Sequence, residues 1–152
     1  MNVILDISNL DITNIFFQNP IKNNIIEDSN FIRILYSNDI FILNGIFLSI
    51  NLNIKYIDKY YNKYKYVFSY IDNKNIIDTI STIESILLYM INIQNKTPIY
   101  SIREQLTNET IKLFSDIKPN NNKKENEFIL KIYGIWETDN EYGITYKIID
   151  KN

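Results

Sequence analysis

The segment FILKIYGIWETDNEYGITYKII, residues 128–149, decides the fold class of this chain. Apolar and polar residues alternate in its two halves, as they do in strands that have one buried face and one wetted face. The polar residues 137–141 separate the halves and supply a turn. The sequence therefore predicts a C-terminal β-hairpin at about residues 128–149.

The two faces of this hairpin differ in composition. The core face is predicted to carry large apolar side chains: Phe128, Leu130, Ile132, Trp136, Tyr142, Ile144, Tyr146 and Ile148. The wetted face is predicted to carry Lys131, Tyr133, Glu137, Thr145 and Lys147. Gly134 and Gly143 lie inside the strands, where glycine indicates a bulge or tight curvature.

Upstream segments predict further strands and one main helix. Asn44-Gly45 separates two apolar runs, a pattern typical of a two-residue hairpin. Apolar residues recur at spacings of three and four over about residues 76–93, which predicts an amphipathic helix. Ser101 and Glu104 have the spacing of a capping box, which predicts a short second helix.

Together these elements predict a single, β-rich α+β domain that spans residues 1–152. We expect its strands to form an antiparallel sheet or a partly open barrel, and an OB-like barrel is one option. The polar residues 118–127 offer no packing side chains, so a mobile loop is expected there.

The amino-acid usage is strongly biased. The chain has 33 Ile, 23 Asn, 14 Lys and 12 Tyr among its 152 residues, and it has no Ala. The favoured residues can all be encoded by A and T alone, which indicates an AT-rich genome. Because this bias supplies Lys and Tyr throughout the chain, their enrichment alone is weak support for any function.

The chain lacks the residues that most enzymes use. It has no Cys, which excludes disulfides and thiolate zinc sites, and no His, which excludes the imidazole base and the ordinary catalytic triad. Its three glycines fall in no phosphate-binding spacing. The acids Glu137, Asp139 and Glu141 could hold a hard cation, but a solvated turn explains them better. We predict a non-catalytic protein with no cofactor and no metal.

Charge and hydropathy limit the partners of the chain. The net charge is −2, so any contact with a polyanion must come from a local patch. Acids interrupt the N-terminal apolar run and no basic segment precedes it, so we expect no signal peptide and no secretion. Polar residues also interrupt every other apolar run, which predicts no contact with a membrane.

The segment 55–70, KYIDKYYNKYKYVFSY, has the most functional character because it interleaves lysines with tyrosines. Proteins that bind single-stranded nucleic acid combine cations, which follow the phosphates, with rings on which bases stack. The candidate binding residues are Lys55, Lys59, Tyr60, Tyr61, Lys63, Tyr64, Lys65 and Tyr66. In the alternative interpretation, codon bias supplies these residues, the tyrosines pack within a sheet and the lysines simply face water.

The wetted face of the C-terminal hairpin is the second candidate surface. Lys131, Tyr133 and Lys147 are expected to lie together on it. A curved five-stranded barrel of the OB type presents a face of this kind to single strands. An ordinary solvated strand face is the alternative interpretation.

Three segments carry a resemblance to known proteins: residues 31–50, 97–115 and 128–149. Their most distinctive points are Leu43-Asn44-Gly45, Gln105-Leu106 and the pattern Gly134-x-Trp136…Tyr142-Gly143-x-Thr145-Tyr146. In these segments the chain resembles a group of short proteins encoded by nucleocytoplasmic large DNA viruses, the mimivirus-like giant viruses among them. The resemblance implies a viral origin and a location in the host cytoplasm, at the viral factory, or in the virion. It implies no particular activity.

Two functional hypotheses follow from the sequence. The first is a non-catalytic protein that binds single-stranded DNA or RNA in viral replication, transcription or packaging. The second is a structural or adaptor protein of the virion or viral factory, which would pair its sheet edges with another copy or another protein.

Overall fold

A computed structural model describes residues 3–114 and 125–151 of the chain, except for the side chains of Tyr60 and Glu125. The helices are α1 (Lys74–Ile91) and α2 (Ser101–Thr107). The strands are β1 (Ile4–Asp6), β2 (Ile15–Phe17), β3 (Ile21–Lys22), β4 (Asn30–Ser37), β5 (Ile42–Asn44), β6 (Ile46–Tyr60), β7 (Lys63–Phe68), β8 (Thr97–Ile99), β9 (Thr110–Phe114), β10 (Glu125–Glu137) and β11 (Glu141–Asp150). Short 3₁₀ helices lie at Ile7–Asn9, Ile12–Asn14 and Ile71–Asn73.

Strand β10 is at the centre of the sheet. It pairs with β11 along one edge, and with β6 and then β4 along the other edge, always antiparallel. Strand β6 continues beyond β10 to pair with β7, which in turn pairs with β9. The short strands flank this frame: β2, β3 and β5 pair with β4, while β1 and β8 run parallel to β6 and β11. The sheet is open, and the predicted α+β class is confirmed.

The inner face of the sheet and the two helices enclose the core. Tyr66, Phe68 and Phe128 are the largest fully buried side chains, and Ile80 and Leu87 of α1 pack in the same cluster. The helix predicted over about 76–93 is confirmed, and it begins two residues earlier than predicted, at Lys74. It ends at Ile91, and the following residue, Asn92, adopts the left-handed conformation common at helix C-termini.

The hairpin predicted at Asn44-Gly45 is wrong, although both flanking strands exist. β5 pairs with β4, whereas β6 pairs with β10, so the chain bends at Asn44-Gly45 and the two flanking strands have different partners. Gly45 has a φ of 108° at this corner, and a Cβ there would lie 2.7 Å from the carbonyl oxygen of Ile132. Glycine is therefore required for the close approach of two backbones rather than for a two-residue turn.

The C-terminal hairpin is confirmed, and so is the bulge indicated by its glycines. Ile132 pairs with Tyr146 and Gly134 pairs with Thr145, which leaves Tyr133 as the extra residue. Because the bulge shifts the alternation by one residue, Ile135 is buried and Trp136 is only half-buried. The prediction that Trp136 belongs to the core face was therefore wrong.

The predicted loop at 118–127 falls mostly outside the described residues, because residues 115–124 are not described. Its last three residues, 125–127, form the start of β10. Within the described part of the chain, no helix is both long enough and apolar enough to cross a membrane.

Candidate functional site

The outward side chains of β6, β7 and β9 form three rows across the sheet, which we call the β7–β9 face. The backbone register aligns Tyr56 with Val67 and Thr110 in the first row, Asp58 with Lys65 and Lys112 in the second, and Lys63 with Phe114 in the third. The ammonium of Lys63 lies 4.6 Å from the centroid of the Phe114 ring. This surface therefore combines three lysines with an aromatic ring that is 69% exposed.

The tyrosines predicted to bind bases point in different directions. Tyr66 is completely buried and Tyr64 is half-buried against the core, so the prediction that Tyr66 contacts nucleic acid was wrong. Strand alternation is the physical reason, since these two residues share the inward face of β7. Tyr61, at the turn between β6 and β7, is 82% exposed. The side chain of Tyr60 lies outside the described part of the structure.

The lysines of this segment are also divided between two faces. Lys63 and Lys65 belong to the β7–β9 face, whereas Lys59 is paired with Tyr64 and so lies on the opposite side of the strand. Lys55 is exposed at an irregularity in the pairing, where the register shifts between Ile54 and Tyr56. Only two of the four predicted lysines therefore lie together on one surface.

Sequence reasoning missed Lys112 and Phe114. Both lie on β9, whose residues Thr110–Phe114 alternate between half-buried or exposed and buried positions. The alternation of polar and apolar residues in TIKLF already indicates that Lys112 and Leu113 face opposite sides of β9. The position of the two missed residues beside Lys63 and Lys65 could not be predicted from local sequence, because the 41 residues 69–109 separate β7 from β9 in the chain.

The outward side of β10 and β11, which we call the hairpin face, brings the second candidate set together. Lys131 and Lys147 lie directly opposite each other on the two strands. The ammonium of Lys131 is 5.2 Å from the ring centroid of Phe47, and the Phe47 ring meets Tyr133 edge to face at 6.1 Å. Like charges in direct cross-strand register are unfavourable for the fold.

Two aromatic rings that the sequence did not assign to this surface cover its glycines. A Cβ on Gly134 would lie 2.7 Å from ring atoms of Phe31, and a Cβ on Gly143 would lie 2.7 Å from a ring atom of Trp136. The rings therefore rest on bare backbone. Arg33 follows Phe31 on the same side of β4, with its guanidinium 6.0 Å from the centroid of that ring.

A cleft separates β9 from β11, and we call it the seam. It has a volume of about 600 Å³ and is lined by Gln105 and residues 111–114 and 146–150. The antiparallel steps from β11 to β10, β6, β7 and β9 make β9 and β11 run in the same direction. Lys112 lies on one rim and Lys147 on the other, so the seam joins the β7–β9 face to the hairpin face.

Buried polar groups tie the structure together beneath the seam. The Tyr66 hydroxyl donates to Asp150 Oδ2 at 2.6 Å, and the Tyr146 hydroxyl donates to Gln105 Oε1 at 2.6 Å. Burial raises the pKa of Tyr146 to about 12 and, together with the bond to Asp150, raises the pKa of Tyr66 as well. Both phenols remain protonated at neutral pH, so they act as donors that hold the fold.

The buried acid Glu84 has a structural role. Its carboxylate accepts the backbone N–H groups of Ile102 and Arg103, both at 2.9 Å, at the start of α2. Burial raises the pKa of Glu84, while these two hydrogen bonds oppose the shift. Among the described residues, no cluster of three or more His, Cys, Asp or Glu side chains is arranged to hold a metal ion.

No protein-family model, curated protein or solved structure matches this chain. The fold and the surfaces described above define it as an open-sheet α+β protein with a basic and aromatic outer side. Any assignment of function rests on these surfaces.

Proposed function

We propose that the protein binds single-stranded DNA or RNA without catalysing a reaction, along a track that crosses the seam. The track begins on the β7–β9 face and continues over the seam onto the hairpin face. With the viral origin that the resemblance to proteins of large DNA viruses implies, such binding would serve replication, transcription or packaging.

The observation that carries this proposal is the placement of two cross-strand lysine pairs around one cleft. Lys65 lies opposite Lys112 on one side of the seam, and Lys131 lies opposite Lys147 on the other. The second pair brings like charges together, which destabilises the fold, whereas Asp58 lies on the other side of Lys65 in the first pair. A phosphate backbone that passes over the seam would contact lysines on both sides of it and release counterions.

The aromatic side chains support a single strand rather than a duplex. Phe114 is 69% exposed beside Lys63, and Tyr133 lies two residues beyond Lys131. Unpaired bases stack on such rings, and each stacked base contributes roughly 1–3 kcal/mol. The bases of a duplex are already stacked on one another and cannot use these rings.

The order of the strands gives further support. Five of the strands, taken in chain order, are β6, β7, β9, β10 and β11. The first of them, β6, pairs with β7 and with β10. The second, β7, pairs with β9, and the fourth, β10, pairs with β11. The third and fifth strands flank the seam. The same pairing order occurs in the five-stranded OB barrel, whose second and third strands bind oligonucleotides, although here β4 and β8 also pair with β10 and β11. In this chain the second and third strands are β7 and β9.

The test is titration of a labelled dT12 oligonucleotide by fluorescence anisotropy at several salt concentrations. We expect binding that weakens as the salt concentration rises, so log K falls with log salt. The substitutions Lys65→Gln, Lys112→Gln and Lys147→Gln should each make this negative slope shallower by about 0.7. The matched control is Lys74→Gln, because Lys74 lies on α1 in an ion pair with Asp78. Absence of binding at low salt, or an equal effect of the control, would contradict the proposal.

A second candidate function, an adaptor or structural role, is favoured by a separate surface. Ile42 on the short strand β5 is 70% exposed, and the neighbouring Ile40 is 88% exposed. Phe16, on the opposite side of β4, is 53% exposed. Exposed apolar edges pair readily with another strand. Light scattering should then show concentration-dependent dimers that Ile42→Lys abolishes, and a monomer at every concentration with no captured partner would contradict this role.

A further inference from the structure

A second groove opens on the outer side of the sheet, beyond the hairpin face. It has a volume of about 350 Å³, which is in the range of small-molecule pockets. Strand β3 and the following loop form one wall, while Phe31, Arg33, Tyr133 and Thr145 form the rest. We call it the β3–β4 groove.

The loop wall of the groove is held in place by its own hydrogen bonds. The Asn23 N–H donates to the Ser29 carbonyl at 2.9 Å, and Asn23 Oδ1 accepts the N–H of Ile25 at 2.9 Å. The Ser29 hydroxyl donates to the carbonyl of Ile26 at 2.6 Å. These bonds keep Ile25 90% exposed at the edge of the groove, although a large apolar side chain gains free energy from burial.

The floor of the groove is flat and aromatic. The Phe31 ring rests on Gly134, and the bulge at Tyr133 displaces that residue from the regular pairing. Both rings are half-buried and line the groove, so part of each is accessible from it. The Arg33 guanidinium lies over the Phe31 ring at 6.0 Å.

The charge of the groove favours an anionic ligand. Within the described part of the chain, its lining includes Lys22 and Arg33 and no carboxylate. The groove also continues the lysine pair of the hairpin face, because Tyr133 follows Lys131 by two residues and Thr145 precedes Lys147 by two. Two residues of a strand span about 7 Å, so the groove begins one short step from these cations.

We infer that the β3–β4 groove receives one unstacked base of a single strand whose phosphates lie along Lys131 and Lys147, an inference that rests on the proposed function. A base is flat, so it can stack on the accessible part of the Tyr133 ring, with Phe31 and Arg33 beside it in the groove. The phosphate attached to the base can contact the cations Lys22 and Arg33 of the groove. An apolar side chain bound in the groove would give these cations no partner. The amide of Asn24 and the guanidinium of Arg33 supply hydrogen-bonding groups for the edge of the base.

The experiment uses dT12 with 2-aminopurine placed at successive positions, because the fluorescence of this base falls when it stacks. With saturating full-length protein, we expect strong quenching at one position. Two variants remove the groove by different means: Tyr133→Ala deletes a wall, and Thr145→Phe fills the space. Each should reduce the quenching at least fivefold. The control is Lys74→Gln on α1, which should leave both the binding and the quenching unchanged.

The anisotropy of the same oligonucleotides separates the two proposals. If they bind but no position is quenched, or if both folded variants quench as the wild type does, the base groove is refuted and the binding function stands. If they do not bind at low salt, the proposed function fails and the base groove fails with it. Far-ultraviolet circular dichroism of both variants identifies any loss of folding.

Discussion

The buried hydroxyl of Tyr66 and the carboxylate of Asp150 form a 2.6 Å hydrogen bond that crosses beneath the seam. Tyr66 lies on β7, next to β9, and Asp150 is the last residue of β11. The bond therefore links the two sides of the seam, where no backbone ladder joins the described residues of β9 and β11. Side chains, rather than strand pairing, hold the edges of this open sheet together.

The first prediction concerns this bond. Tyr66→Phe removes the hydroxyl and keeps the ring, which packs edge to face on Phe128 at 5.1 Å. Loss of a hydrogen bond to a charged group should lower the free energy of unfolding by about 1.5–3 kcal/mol, measured by urea denaturation. The control is Tyr89→Phe, which changes a ring that is 83% exposed and should alter stability by less than about 0.5 kcal/mol. Equal effects of the two substitutions would contradict the structural role.

The second prediction concerns pH. Because burial raises the pKa of Glu84 above its ordinary value of 4.5, the folded state binds this proton more tightly than the unfolded chain does. The contribution of Glu84 to stability should therefore fall as the pH rises from 4.5 through the raised pKa. Urea denaturation of wild type and Glu84→Gln across pH 4–8 should show this slope in the wild type only.

Several other acids titrate with the opposite sign and at lower pH. Hydrogen bonds lower the pKa of Asp6, Asp11, Asp78 and Glu127. Their contributions are present above their unfolded pKa values and are lost as the pH falls below about 4.

The control for the Glu84 prediction is Glu104→Gln, on the exposed side of α2. A slope of stability against pH that survives in Glu84→Gln would refute the assignment to Glu84.

The third prediction compares two glycines of the hairpin. At Gly134 a Cβ would lie 2.2 Å from the carbonyl oxygen of Ile32, which is backbone and cannot move easily. At Gly143 the nearest atoms belong to the Trp136 ring, and the nearest backbone atom is 3.0 Å away. Gly134→Ala should therefore destabilise the protein by about 2 kcal/mol or more, and Gly143→Ala by less. Thermal unfolding of both variants tests the order, and the reverse order would contradict it.

The fourth prediction separates stability from binding. Lys147→Glu replaces a like-charge pair with an opposite-charge pair opposite Lys131. It should raise the free energy of unfolding by about 0.2–1 kcal/mol while weakening the binding of dT12. Lys147→Gln should fall between the two proteins in both measurements. If Lys147→Glu is less stable than the wild type and binds dT12 equally well, the lysine pair contributes to the stability of the fold and not to binding.

Local signals in the sequence were sufficient for the elements that obey one periodicity. The α1 helix and the C-terminal hairpin follow from the 3.6-residue and two-residue periods of their apolar side chains. Gly134 also indicated the bulge, but not which residue would be extra. Since Tyr133 is the extra residue, every later side chain of β10 reverses its face, and this reversal sent Trp136 outward.

The candidate site was harder to predict because strands distant in the sequence assemble it. Lys131 and Lys147 face each other within one hairpin, so alternation alone placed them together. Phe31, Arg33 and Phe47 reach the same surface only because β10 pairs with both β4 and β6. The prediction that Tyr66 binds nucleic acid failed because of the composition. Strongly biased codon usage places tyrosines in the core and on the surface alike, so their number does not distinguish the two.

The central position of β10 determines when this protein can fold. Its pairs with β4 and β6 join residues 30–53 to residues 125–137, and β11 is added last. A nascent chain therefore carries β4, β6 and their apolar side chains without their main partner until residues 125–137 have been synthesised. We expect slow folding, at a rate limited by closure of these long-range pairs. Until they close, the unpaired strands expose apolar side chains on which aggregation can begin.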